Sequence, residues 1–126
     1  MKKKLLLTLL LATGTAHADE AQCLSKILYS EGQGESIEGV IALAESTKAR
    51  AKRSGKSICK VAGVTRKQPP VRLSHYWVTL ARTVLADTRT PITKGADSWN
   101  TGRKPHSDGK ITRHIGKHTF YVMGDL

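Results

Sequence analysis

Acidic and aromatic residues are scarce in this chain of 126 residues, where ten Asp and Glu stand against 21 Lys and Arg and aromatics make up 5%. Cysteine is rarer still, at two, which excludes a multi-cysteine metal cluster and allows one disulfide at most. Neither cysteine has a Cys-x-x-Cys spacing or a nearby His, so metal ligation by the pair is the weaker reading. Beyond the first residues no apolar run approaches the length that spans a membrane. Gly-x-Ser-x-Gly, a Walker loop, His-Glu-x-x-His and a dinucleotide fingerprint are all missing, and no repeat, linker or second domain is visible.

At the start, Lys2, Lys3 and Lys4 precede a short apolar run, Leu5 to Ala12, and Ala16-His17-Ala18 has the Ala-x-Ala form of a cleavage site. Residues 1–18 therefore read as a secretory signal peptide, too short for a good membrane span. Residues 19–126 are the expected mature domain, exported to the periplasm or the extracellular space. Three lysines leave with the signal, so the formal charge falls from +11 to +8. In an exported chain, the pair Cys23 and Cys59 suggests one disulfide. Basic charge usually points to nucleic acid, but export argues against that partner. The polyanions outside the cytoplasm are cell wall and lipid head groups, to which a basic face is attracted over long range. No stable membrane insertion is expected after cleavage, and a monomer is expected.

The apolar periodicity predicts a mostly helical α+β domain of about three helices with a C-terminal β-hairpin. Leu24, Ile27 and Leu28 form one stripe on a first helix, Glu20 to Ser30, which Gly32 and Gly34 interrupt. Ser36 is a good N-cap for a second helix ending near Arg53 and stopped by Gly55. Its inward stripe is Val40, Leu43, Ala44, Thr47 and Ala51; Glu38, Glu45, Lys48 and Lys52 read as a solvated face. Around Cys59, residues 57–64 suit a short helical turn drawn onto the first helix. Pro69-Pro70 forbids regular structure, and Ser74 reads as the cap of a third helix, Tyr76 to Ala86, with Trp77, Leu80, Ala81, Val84 and Leu85 inward. Asp87 to Gly109 reads as one long loop of the functional kind. Ile111 to Met123 reads as a hairpin turning at Gly116-Lys117.

Tyr29-Ser30-Glu31-Gly32-Gln33-Gly34-Glu35-Ser36 concentrates the chemistry. Glu31 closes the first helix on a glycine-rich break. Glycosidic cleavage needs a carboxylic acid that holds its proton near neutral pH, and a helix end beside apolar side chains is a setting where carboxyls do so. The plainer alternative is an ordinary exposed glutamate. Glu35 is placed either to receive backbone N–H groups before the Ser36 cap or to act as a second carboxylate. Trp99 and Asn100 on a polar loop with Arg103, Lys104 and His106 suit a sugar face and its hydroxyl or acetamido groups; Trp99 equally suits a lid over the core. Phe120 and Tyr121 alternate, one toward the core and one toward a cleft. His114 and His118 flank the hairpin turn and could lie close together, but two histidines without a third ligand are a thin metal argument. No metal or cofactor is expected, and His75 reads as a helix-start residue.

These residues together resemble the SleB-like cell-wall hydrolases, a family that includes spore-cortex-lytic enzymes. The resemblance runs from Cys23-Leu24 through Ile27-Leu28-Tyr29-Ser30-Glu31-Gly32-Gln33-Gly34-Glu35-Ser36-Ile37-Glu38-Gly39 and on to Arg50. It takes in Ser57-Ile58-Cys59-Lys60-Val61 and Lys94-Gly95-Ala96-Asp97-Ser98-Trp99, and it closes with Ile115-Gly116-Lys117-His118-Thr119-Phe120-Tyr121. The chain departs from the family pattern at Gly32-Gln33, where Ala-Arg is usual, at Ala49, where Asn is usual, and after Cys59.

The resemblance implies a small lysozyme-like domain that acts on peptidoglycan, as a lytic transglycosylase or as an amidase. Glu31 matches the family's catalytic glutamate. It would protonate the oxygen between N-acetylmuramic acid and N-acetylglucosamine, then take the proton of the muramoyl 6-hydroxyl to form a 1,6-anhydro end. Tyr29, Glu35, Trp99, Asn100, His118 and Tyr121 are the substrate-binding candidates. A common amidase would want a zinc site, which the sequence does not offer. The remaining alternative is a peptidoglycan-binding module on the same fold without catalysis.

Overall fold

The computed structural model describes residues 20–63, 67–102 and 109–123. The expected signal peptide (1–18) and the loop residues Arg103, Lys104 and His106 lie outside them. Residues 20–32 are helical (α1), followed by α2 (Ile37–Ser54), α3 (Ile58–Ala62), α4 (Val71–Ala86), β1 (Ser98–Thr101), β2 (Gly109–Ile115) and β3 (His118–Met123). The three strands form one antiparallel sheet in the order β1-β3-β2. The domain is α+β and mostly helical, as the apolar patterning predicts. Among the described residues no helix is long and apolar enough to cross a membrane.

The stripe of α1, Leu24, Ile27 and Leu28, is buried against Val40, Leu43 and Phe120 in a single core. Gly32 does not break this helix, contrary to the sequence expectation. It is the last helical residue and is buried, because a Cβ there would stand 3.2 Å from Val40 Cγ2 and 3.8 Å from the Trp77 ring. The reversal comes two residues later, where Gly34 takes a φ of +80°, open to glycine at no steric cost. Ser36 then caps α2 as expected, its Oγ accepting from the Gly39 N–H at 3.1 Å. All five residues of the expected inward stripe of α2 are buried.

Cys23 and Cys59 are disulfide-bonded, 36 residues apart, and tie α3 to α1. Ser57 caps α3 through the Lys60 N–H. Two expectations fail nearby. Helix α4 begins at Val71, with Pro70 in the cap position at φ −55°, so the helix starts directly behind the proline and Ser74 lies inside it. A proline ring sets φ for entry into a helix and needs no N–H partner. The long loop is also not all loop, since Ser98–Thr101 pairs with the edge of β3, Trp99 opposite Phe120 and Asn100 opposite Thr119. One apolar residue in four shows no strand periodicity; the partner strand supplies the pairing instead.

The hairpin turns at Gly116-Lys117 as expected, with Ile115 opposite His118 and His114 opposite Thr119. His114 and His118 therefore point to opposite faces of the sheet. Both nevertheless line one small cavity beside the hairpin turn, with Thr101, Gly102, Gly116 and Lys117. A bulge between Ile111 and Arg113 re-aims Arg113, which donates to the Ile92 carbonyl at 2.9 Å and pairs with Glu38 at 3.1 Å.

Candidate active site

Every fourth residue of a helix returns to the same face, and so Ile27 and Glu31 on α1 share one wall of a cleft of about 430 Å³. Arg50 from α2, Val61 from α3, β1 (Ser98 to Thr101) and Tyr121 of β3 complete its described lining. Glu31 is half-buried. It is the one carboxylate in the described lining. Tyr121 is 5% exposed, and its hydroxyl donates to Asn100 Oδ1 at 3.1 Å, which orients the amide. Trp99 both lines the cleft and packs on the core.

A polar chain fixes the β1 wall to α2. Arg53 pairs with Asp97 Oδ2 at 2.5 Å, and Asp97 is fully buried. The other Asp97 oxygen accepts from the Ser98 hydroxyl and the Met123 N–H, both at 3.0 Å. Ser98 Oγ accepts in turn from Arg50 at 3.3 Å. A buried carboxylate is tolerable when its lone pairs are matched in this way. Arg50 is thus held at the cleft as a half-buried cation.

Glu35 does not line this cleft, nor does His118 or Tyr29. Tyr29 packs edge-on against Trp77, with ring centroids 5.9 Å apart. Glu35 receives a backbone N–H, in line with one of its two expected roles, but from the hairpin rather than from α2: its Oε1 accepts from Lys117 N at 3.4 Å. The same oxygen lies 3.2 Å from His118 Nδ1, with the two side chains 5% and 1% exposed. This is a close polar contact whose geometry falls short of a hydrogen bond, and Nε2 has no partner among the described residues. Burial pushes the pKa of His118 below the ordinary histidine value, against weaker upward pulls from Glu35 and Glu31.

No family model, curated protein or solved structure matches this chain.

The cleft's arrangement of one acid, one oriented amide, one indole and one guanidinium follows from residues on several elements. Glu31, Trp99, Asn100 and Tyr121 come together as the sequence anticipates. Arg50 and Ser98 join them without any sequence signal marking them as site residues. Among the described residues no three His, Cys, Asp or Glu side chains cluster in a way that could hold a metal ion.

Proposed function

We propose that the mature chain is an exported enzyme that cleaves the glycosidic bond between N-acetylmuramic acid and N-acetylglucosamine in peptidoglycan, with Glu31 as acid and then base. The observation that carries this reading is Glu31, the one carboxylate among the described residues of a cleft it shares with Trp99, Asn100 and Tyr121. Hydrolysis by the common retaining or inverting routes uses two carboxylates flanking the bond. One carboxylate among the described lining residues suits the route in which the substrate supplies its own nucleophile.

In that route Glu31 gives its proton to the glycosidic oxygen as the bond to C1 breaks. The resulting carboxylate then takes the proton of the muramoyl C6 hydroxyl as that oxygen bonds to C1. The products are an N-acetylglucosamine end with a free hydroxyl and a 1,6-anhydromuramoyl end, and Glu31 regains its proton. Trp99 offers a face for a sugar ring, the Asn100 amide offers hydrogen bonds to acetamido or hydroxyl groups, and Arg50 offers a cation to the carboxylates of an acidic polymer. The formal charge of +8 on residues 19–126 draws the protein toward the wall.

Incubation of residues 19–126 with purified walls, followed by mass spectrometry of the soluble fragments, tests the reading. Anhydromuramoyl ends are expected, with their release falling at least ~1000-fold in Glu31→Gln, since removing a catalytic acid forfeits its proton transfer and its charge together. Equal release by both proteins overturns the assignment. Free stem peptides would instead indicate an amidase, and tight wall binding without fragments a binding module.

A further inference from the structure

Four residues beyond Glu31, the Glu35 carboxylate is nearly enclosed. It touches three separate parts of the fold. Its Oε1 meets His118 Nδ1 of β3 at 3.2 Å and the Lys117 N–H of the hairpin turn at 3.4 Å. Its other oxygen lies against Gly39 in the first turn of α2, where a Cβ would stand 3.2 Å away, and against Gly116, where a Cβ would collide with it. Gly116 thus leaves room for a carboxylate that any larger residue there would displace, and Gly39 packs closely against it. The backbone N–H of Glu35 also closes the end of α1 by donating to the Gly32 carbonyl at 3.0 Å.

His118 is the other half. It is 1% exposed, sits beside the fully buried Phe120 with ring centroids 6.2 Å apart, and pairs across the sheet with Thr101 of the cleft wall and Ile115 of β2. The charged groups that act on it are Glu35 from the α1–α2 connection, Glu31 from α1 and Lys117 from the turn. Glu31 and Glu35 therefore act on the same ring from two sides of the glycine break.

We propose that Glu35 and His118 are positioning residues. Their buried contact locks the end of α1 to the hairpin and so sets the Glu31 carboxyl against β1. The proposal rests on the reading of Glu31 as the acid. At neutral pH the buried ring is uncharged, and a carboxylate at Nδ1 selects the tautomer with the proton on Nδ1. A shift of about 1 Å in a catalytic group costs up to ~100-fold in rate, so a clamp remote from substrate still reads out in turnover.

The test pairs ring-nitrogen NMR with kinetics on the folded mature chain. Expected for wild type is a neutral His118 protonated at Nδ1, with a titration midpoint that moves down in both Glu35→Gln and Glu31→Gln. Expected kinetically is a fall in kcat of ~10-fold or more for Glu35→Gln and His118→Leu at nearly unchanged KM, with substantial recovery in His118→Asn, whose amide places a donor near the Nδ1 position. An Nε2-protonated ring, or a midpoint indifferent to Glu31→Gln, overturns the proposal, as does unchanged kcat in Glu35→Gln. If wild type releases no fragments while the NMR couplings hold, the glycosidase reading fails and the clamp stands. If wild type is active without the couplings, the clamp fails and the glycosidase reading stands.

Discussion

Gly116 shows how much depends on a missing side chain. Its φ of +58° lies in the left-handed region, and the space where a Cβ would stand is taken by the Glu35 carboxylate. Gly116→Ala therefore carries backbone strain and displaces a buried charge. A loss of about 1–3 kcal/mol is expected from strain of this kind, read as a lowered midpoint in urea unfolding with unchanged slope. Gly109 plays a related part, because a Cβ there would strike the Tyr121 ring, which is held over the strand end facing Asn100. The glycines in the Glu31 motif are legible in the sequence as special positions, but their purposes are not. Gly32 reads as a helix breaker and is a packing residue; a lone sequence does not tell absent torsional restraint from absent volume.

Among the elements, α2 departs furthest from its expected role. Its outer face reads as solvated in the sequence; Glu38 and Lys52 are exposed as expected, whereas Lys48 and Glu45 tie α2 to the end of α4 and to the segment that follows it. Lys48 Nζ donates to the carbonyls of Val84, Leu85 and Asp87 at 2.9–3.2 Å, capping the C-terminus of α4. Glu45 accepts from the Ile92 and Thr93 N–H groups, both at 3.3 Å, and desolvation there raises its pKa above the ordinary glutamate value. Lys48→Met keeps the aliphatic stem and removes the donor, leaving helix-end carbonyls without their cation. A loss of about 1–2 kcal/mol is expected, checked by chemical unfolding, with hydrogen exchange accelerating in the last turn of α4. The charges of α2 match a solvated i,i+3 and i,i+4 pattern equally well, and a half-buried Lys is indistinguishable from an exposed one until its partner is placed. The strand β1 is hidden from sequence reasoning for the same reason: Ser98–Thr101 is a strand because β3 offers an open edge.

For the molecule as a whole, the Cys23–Cys59 bond joins segments 36 residues apart in a domain with a modest core. Closing a loop of that length restricts the unfolded chain by about 3–4 kcal/mol in the chain-entropy model. Reduction should therefore lower the thermal midpoint by roughly 10 °C or more for a domain of this size, followed by circular dichroism with and without reductant; an unchanged midpoint would show that the helical core holds α3 without the bond. Composition, caps and apolar stripes were enough to establish an α+β chain with its helices, its hairpin and a candidate acid, because these act between residues close together in the chain or through the general burial of apolar surface. Tertiary structure decided the partners of the polar residues. Glu35 meets Lys117 across 82 positions and is thereby withdrawn from the cleft, while Arg50 is brought into it. A charged side chain exposed to water and one matched inside a fold have the same letter, and the energy that separates them resides in contacts that exist once distant segments meet.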